Sequence, residues 1–193
     1  LHPELQVSEA KAKVVNDAVM KKCDVLGEGF LNNPRQCSFD FTSLACKAGA
    51  ANTGACLTPP QLKAAEMFYG GVKNRRGEVI FPGQTIGNPL TPLKSNQSIA
   101  VTDTVRIWAF QNANYDWHEF DIDRDMPLID QKIAFVDATD PDLRKFKAHG
   151  GKLLLYHGLA DSTIPFGHTV LYYNEVLKTM GKSQDDWMKL YLE

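Results

Sequence analysis

Asp161 is the residue whose sequence context best suits a catalytic role. It comes shortly after Lys152-Leu-Leu-Leu-Tyr156, a glycine-bounded apolar run typical of a strand buried on both faces of a parallel sheet. Functional groups in open α/β sheets gather in the loops beyond the carboxyl ends of the strands, where the acid of a Ser-His-Asp triad orients its histidine. An aspartate in such a turn can also cap the next helix, and that structural role is the alternative for Asp161.

Two histidines lie close to Asp161 in the sequence. His157 directly follows the predicted strand, and His168 lies on the helix predicted from Phe166 to Met180, which Gly181 ends. We interpret both as structural, with His157 supporting the loop that carries Asp161.

A nucleophile for the same reaction is not evident. The serines lack the G-x-S-x-G setting that exposes a catalytic serine on a strained strand-to-helix elbow. They are Ser8, Ser38, Ser43, Ser95, Ser98, Ser162 and Ser183. The cysteines are better explained as disulfide partners than as substitutes for the serine. The sequence therefore predicts that this chain alone does not catalyse acyl transfer.

The four cysteines form two close pairs, Cys23 with Cys37 and Cys46 with Cys56. None belongs to a C-x-x-C motif or lies near a histidine at zinc-binding spacing. Four cysteines allow three connectivities, and the turn-rich loops between the members of each pair favour the two local bridges. Disulfides indicate a secreted or periplasmic protein, whereas free core thiols in a cytosolic protein are the alternative.

Local signals predict the elements around these residues. Ser8 can cap a first helix, and Thr58 with Gln61 forms the capping box of a second helix that ends at Gly70. The segment between these helices, residues 24–54, is predicted to be a loop ordered by the bridges rather than by a core.

The chain is predicted to divide near residue 133. Residues 1–132 are mainly irregular and helical, with a short helix over 101–110 and a structured loop over 112–130. Residues 133–193 contain a strand, a loop and a helix, which is one βα unit of a parallel sheet. Since one such unit cannot form a sheet, we expect its partner strands to lie outside this chain.

Composition limits the classes of partner. The 193 residues are 44% hydrophobic and 10% aromatic, enough for an ordinary core. A net charge of −2 with interspersed signs provides no basic face for nucleic acid, and no apolar run approaches the roughly 20 residues that span a membrane. A small organic molecule is the expected partner.

Motifs at both ends of the chain carry a family resemblance. The first set is Cys23-Asp24, Asn33-Pro34-Arg35-Gln36-Cys37, Leu44-x-Cys46-Lys47 and Cys56-Leu57-Thr58; the second is Phe146-x-x-x-Gly150-Gly151-Lys152-Leu153, Tyr156-His157-Gly158-x-x-Asp161 and Ile164-Pro165. In this order they resemble the tannase and feruloyl esterase family, which also includes the bacterial mono(hydroxyethyl) terephthalate hydrolase. The resemblance extends from about residue 7 to residue 181.

The resemblance implies an α/β-hydrolase fragment, with a disulfide-stapled lid over residues 1–132 and a partial core over 133–193. It further implies a serine esterase that cleaves feruloyl, galloyl or terephthaloyl esters through an acyl-serine intermediate, with Asp161 as the triad acid. The nucleophile is expected before residue 1 and the histidine shortly after residue 193, so the remainder of the hydrolase core would be a partner. The alternative is a non-catalytic, disulfide-stapled module that binds a phenolic or sugar ligand.

The same family has a calcium loop that begins at the first bridge cysteine and supplies three acidic side chains and backbone carbonyls. Here that loop is three residues shorter: Asp24 remains, Glu28 would replace the last acid, and the middle aspartate is absent. We therefore expect no cofactor requirement, with calcium at Asp24 and Glu28 as the alternative.

Two further patterns are less informative. Asp121-x-Asp123-x-Asp125 starts like an EF-hand, but Met126 occupies the obligatory glycine position, so a solvated acidic loop is predicted. Four aromatic residues could face an aromatic acyl group, although packing inside the lid is the favoured interpretation; they are Trp108, Phe110, Tyr115 and Trp117.

Overall fold

The computed structural model describes residues 3–49, 54–91, 103–116 and 119–193. Within these ranges the α-helices are α1 (Glu9–Cys23), α2 (Pro59–Gly70), α3 (Ile122–Ile133), α4 (Arg144–Ala148) and α5 (Gly167–Met180). The strands are β1 (Val72–Lys73), β2 (Val79–Phe81), β3 (Leu153–His157) and β4 (Met188–Leu192), and a π-helix covers Thr104–Ala109. Ser95, Ser98 and Trp117 lie outside the described residues.

The N-terminal half is built on α1 and α2. Ser8 Oγ accepts the Lys11 N–H at 3.4 Å at the start of α1, and Gln61 Oε1 accepts the Thr58 N–H at 3.1 Å at the start of α2. Both helix starts agree with the sequence prediction. Buried hydrophobic side chains form the core of this half. They are Val7, Ala12, Val15, Val19, Phe41, Leu57, Ala65, Tyr69 and Leu90.

Both predicted disulfides are present. Cys23 is bridged to Cys37 with 5.6 Å between their Cα atoms, and Cys46 is bridged to Cys56 with 4.9 Å between theirs. Backbone pairing supports the second bridge, because the Cys46 N–H donates to the Leu57 carbonyl at 2.9 Å. The local pairing inferred from the turn-rich loops is confirmed.

The C-terminal part is a β-α-β unit rather than the single βα unit predicted. Strands β3 and β4 pair in parallel, with Leu153 opposite Met188 and His157 opposite Leu192, and α5 is the crossover helix. Val176 of α5 packs with Trp187 and Met188 in the core of this unit. The sequence pattern did not predict strand β4, because its apolar run is short and is interrupted by Lys189.

Strand β3 is buried on only one face within this chain, which corrects the prediction of two buried faces. Leu153 and Leu155 are partly buried, and Leu153 packs against the core that contains Val176 of α5. In contrast, Leu154 is 62% exposed and Tyr156 is 74% exposed. Tyr191, opposite Tyr156 in the register, is 55% exposed. The reason is architectural: in the part of the chain that the structure describes, no element packs on the second face of this two-stranded sheet.

Two other segments also differ from the prediction. A loop was predicted over 112–130, but helix α3 begins within it, at Ile122. The Asp121 side chain accepts the N–H groups of Asp123 and Arg124 and so caps this helix. The segment after α2 forms a short antiparallel hairpin of β1 and β2. None of the helices in the described ranges is long and apolar enough to cross a membrane.

Candidate functional site

Asp161 lies in the turn between β3 and α5, with one carboxylate oxygen held by the turn itself. Its Oδ1 accepts the N–H of Thr163 at 2.8 Å and the N–H of Ile164 at 2.9 Å. The backbone bonds from Ile164 and Thr163, helped by the neighbouring His157, lower the pKa of Asp161 below its usual value. The carboxylate is therefore ionised at neutral pH and fixed in orientation.

The second carboxylate oxygen of Asp161 is much less engaged. Oδ2 lies 3.6 Å from Nε2 of His157, and the aspartate side chain is 39% exposed. Among the described residues, Oδ2 has no hydrogen-bond partner at ordinary distance. This oxygen can accept an N–H from an imidazole supplied by another part of a complete site, which is the geometry a triad acid needs.

His157 is committed to structural contacts through both ring nitrogens. Nδ1 lies 2.7 Å from Thr169 Oγ1 on α5, and Nε2 lies 2.8 Å from the carbonyl of Ile164. Because a carbonyl oxygen can only accept, Nε2 donates its proton to Ile164, whereas the Thr169 hydroxyl can either donate to Nδ1 or accept from it. His157 thus ties β3, the Asp161 turn and α5 together, and both of its nitrogens are occupied.

The His168 side chain makes an aromatic packing contact. Its ring meets the Phe81 ring edge to face, with 4.8 Å between the centroids. Burial lowers the pKa of His168, and the nearby His157 adds a smaller effect in the same direction. The contact brings the end of β2 against the first turn of α5.

Residues 81–90, named here the bridging segment, hold the outer side of the Asp161 turn. Gln84 Nε2 donates to the Ser162 carbonyl at 3.2 Å, and Asn88 Nδ2 donates to the Asp161 carbonyl at 3.3 Å. Asn88 Nδ2 also donates to Gln84 Oε1 at 3.1 Å, which links the two side chains. Sequence reasoning missed both residues, because an amide side chain in an irregular glycine-rich loop carries no signal of a distant partner.

The bridging segment is itself anchored to the N-terminal core. The Tyr69 hydroxyl donates to the Asn88 carbonyl at 2.8 Å, and the Leu90 N–H donates to Asn16 Oδ1 at 2.8 Å. The crossing with α2 is close enough to require glycine, since a Cβ at Gly83 would lie 2.2 Å from the Tyr69 carbonyl oxygen. The Asp161 turn is therefore joined to α1 and α2 through a continuous set of contacts.

A cavity of about 260 Å³ lies beside the bridging segment. Arg35 from the first disulfide loop and Tyr69 from α2 line one part of it, and Ile86 and Phe166 line another. The elements that hold the Asp161 turn thus also bound this cavity.

The aromatic residues singled out from the sequence have different surroundings. Phe110 stacks on Tyr115 with 4.2 Å between ring centroids, and the Tyr115 hydroxyl donates to Asp125 Oδ2 at 3.1 Å. Both rings are therefore engaged in internal packing. Trp108, on the π-helix, is 54% exposed and remains free to contact another surface.

The acidic residues of the loop after Cys23 accept hydrogen bonds from within the loop. Asp24 accepts the N–H of Glu28 at 3.1 Å and the N–H of Gly29 at 2.8 Å, and these backbone bonds, led by Gly29, lower the pKa of Asp24. Glu28 Oε2 accepts an N–H of Asn32 at 2.8 Å. Within the described ranges, no three acidic, histidine or cysteine side chains converge as a metal site. Because amide donors point at the carboxylate where a cation would bind, this donor set fits calcium poorly.

The acidic run Asp121-x-Asp123-x-Asp125 is not the solvated loop predicted from sequence. Asp121 and Asp123 pair with Arg75 at 2.7 and 3.2 Å, and Asp125 pairs with Arg124 at 2.6 Å. The side-chain bond from Arg124 lowers the pKa of Asp125 to about 2. Arginine side chains therefore neutralise the charge of these carboxylates. The acidic run forms the start of helix α3.

A model of the family described as "Tannase and feruloyl esterase" matches residues 3–193. A probable feruloyl esterase B-2 of Neosartorya fischeri is 27% identical over 192 residues, covering 96% of this chain and 36% of that protein. An uncharacterized esterase of Xanthomonas campestris pv. campestris is 31% identical over 201 residues, covering 91% of this chain and 34% of that protein.

Among solved structures, feruloyl esterase B from Aspergillus oryzae superposes with a TM-score of 0.83 at 25% identity, covering 99% of this chain and 40% of that one. Tannin acyl hydrolase from Aspergillus niger superposes with a TM-score of 0.61 at 19% identity, covering 95% of this chain and 40% of that one. The chain thus has the fold of part of an α/β hydrolase of this type. It spans only about a third to two fifths of the length of these relatives.

Proposed function

The chain belongs to the tannase and feruloyl esterase family, and we propose on that premise that the complete protein hydrolyses carboxylic esters of aromatic acids, with Asp161 as the acid of a Ser-His-Asp triad. The observation that carries the proposal is the asymmetry of the Asp161 carboxylate. Backbone N–H groups of the turn fix Oδ1, while Oδ2 stays accessible at the carboxyl end of β3. A carboxylate held in this way can orient a histidine and stabilise the imidazolium formed when a serine attacks the ester.

The serine and the histidine are proposed to come from parts of the protein outside these 193 residues. Two observations favour this division: the chain covers 36% of a feruloyl esterase B-2 relative, and no serine has the G-x-S-x-G context. We assign residues 1–132 to a lid and residues 133–193 to the hydrolase core. The exposed face of β3 and β4 would then pack against the remainder of that core.

The proposed substrate is a small aromatic ester, since relatives named feruloyl esterase and tannin acyl hydrolase act on that class according to their names. The reaction would attach the acyl group to serine, release the alcohol, and then release the aromatic acid by hydrolysis. We further propose that the protein is exported, because two disulfides persist in an oxidising compartment. Calcium is not proposed as a requirement, given the amide donors that already point at the Asp24 carboxylate.

The test is Asp161→Asn in the complete protein, which removes the charge and keeps the shape. Turnover on a feruloyl ester should fall by about 10⁴, or roughly 5 kcal/mol of transition-state stabilisation, with little change in substrate binding. Asp142→Ala is the matched control, because the Asp142 carboxylate only accepts bonds from Arg144 ahead of α4. That variant should lose at most about 2 kcal/mol of stability and keep its turnover at permissive temperature.

Near-normal turnover of Asp161→Asn would refute the assignment of the triad acid. Binding of a phenolic ligand by the complete protein with no hydrolysis of any aromatic ester would instead favour the alternative, a non-catalytic binding module.

A further inference from the structure

We propose that Asn88 and Gln84 are positioning residues for Asp161, so that the N-terminal helical region sets the orientation of the catalytic carboxylate. This inference rests on the proposed role of Asp161. It concerns a different feature, the two hydrogen bonds that reach the Asp161 turn from the bridging segment.

The two bonds act on the main chain of the turn. Asn88 and Gln84 donate to the carbonyls of consecutive residues, Asp161 and Ser162, whereas the carboxylate of Asp161 is held from within the turn by Thr163 and Ile164. The internal bonds fix the carboxylate relative to the turn. The external bonds fix the turn relative to the rest of the molecule, and a triad needs both.

The burial of Asn88 indicates that this contact is specific. Asn88 is only 6% exposed, and burying an amide costs free energy unless its donors find acceptors. Its donors do so on the Asp161 carbonyl and on Gln84 Oε1, and the main-chain carbonyl of Asn88 accepts the Tyr69 hydroxyl. A truncated side chain would leave acceptors unpaired on both sides of the contact.

No other side chain in the described ranges donates to the backbone carbonyls of Asp161 and Ser162. His157 secures a later point of the turn, at the Ile164 carbonyl. Without Asn88 and Gln84, the peptide that carries Asp161 would be tied to β3 and α5 alone. A displacement of about 1 Å in a catalytic group can cost on the order of 10²-fold in rate, so small shifts of this turn matter.

The experiment compares Asn88→Ala and Gln84→Ala in the complete protein. We expect kcat for a feruloyl ester to fall by about 10- to 100-fold with KM nearly unchanged. The acidic limb of the kcat profile should also move to lower pH, because a misplaced carboxylate stabilises the imidazolium less. Asn74→Ala is the matched control, since the Asn74 side chain bonds only within the β1–β2 turn, to Arg76 and Glu78.

A double-mutant cycle separates positioning from general structural damage. On the Asp161→Asn background, Asn88→Ala should reduce kcat by less than about 2-fold, because the group through which it acts is already disabled. A full, additive loss on that background would overturn the proposal. If Asn88→Ala fails to fold, the partly buried Gln84→Ala carries the same cycle.

The two proposals fail in different ways. If Asp161→Asn keeps its turnover, the triad assignment is wrong. If Asp161→Asn loses its turnover while Asn88→Ala and Gln84→Ala keep both kcat and the pH profile, the positioning role alone is wrong.

Discussion

The N-terminal helical region and the C-terminal β3-α5-β4 unit are stabilised in different ways. The first buries its own apolar side chains, with Val15 and Leu57 fully inaccessible, and closes its loops with two disulfides. The second buries Val176 and Met188 on one face of its sheet but exposes Leu154, Tyr156 and Tyr191 on the other. The first region can therefore hold its shape through internal contacts, whereas the second has a surface that suits further packing.

The proposed triad acid lies on the less self-contained region. Asp161 belongs to the β3-α5 turn, yet the bridging segment that contacts its main chain is anchored on α1 and α2. We infer from this comparison that the β3-α5-β4 unit carries the Asp161 carboxylate and that the disulfide-bonded N-terminal region restrains its position.

The largest effect expected on stability comes from removing the disulfides. In the chain-entropy model, each bridge stabilises by roughly 3 kcal/mol, since the bridged cysteines are separated by 14 and 10 residues. Cys23→Ala/Cys37→Ala and Cys46→Ala/Cys56→Ala should each lower the free energy of unfolding by about that amount, measured by denaturant titration. Peptide mapping without reductant should recover the Cys23–Cys37 and Cys46–Cys56 pairs, and a Cys37–Cys46 cross-link would contradict this pairing.

A smaller effect is expected at the exposed face of the sheet. If the rest of the hydrolase core covers this face, Tyr156→Ala in the complete protein should cost about 2 kcal/mol, as for a buried aromatic side chain. Val25→Ala is the control, because Val25 is 88% exposed in the first disulfide loop and should change stability by less than about 0.5 kcal/mol. Equal, small effects of the two substitutions would show that the sheet face stays uncovered.

Local signals were sufficient to predict some features of this molecule. Ser8, Thr58 with Gln61, and the glycine-bounded strand before Asp161 act within a few residues of the elements they define, so pattern alone located them. The disulfides were predictable for the same reason, since each closes a short, turn-rich loop.

Features that depend on contacts distant in sequence were not predictable. Asn88 meets Asp161 across 73 positions and Gln84 meets Ser162 across 78, and no local pattern encodes such pairs. The exposure of Tyr156 likewise depends on which element packs on the sheet, not on the strand itself. The acidic run at 121–125 was misinterpreted because its neutralising partner Arg75 lies far away in the sequence.

The smallest expected effect concerns calcium at the first disulfide loop. A ligand raises the melting temperature only if it binds the folded state, and the Asp24 carboxylate already accepts bonds from Glu28 and Gly29. Calcium would have to replace these bonds with too few acidic ligands, so millimolar calcium or excess chelator should leave the melting temperature unchanged. Asp24→Asn should then destabilise the protein equally with and without calcium, since its only role is to accept loop N–H groups. A calcium-dependent rise in melting temperature that Asp24→Asn or Glu28→Gln abolishes would instead establish a metal site, rebuilt from the shortened loop and its carbonyls.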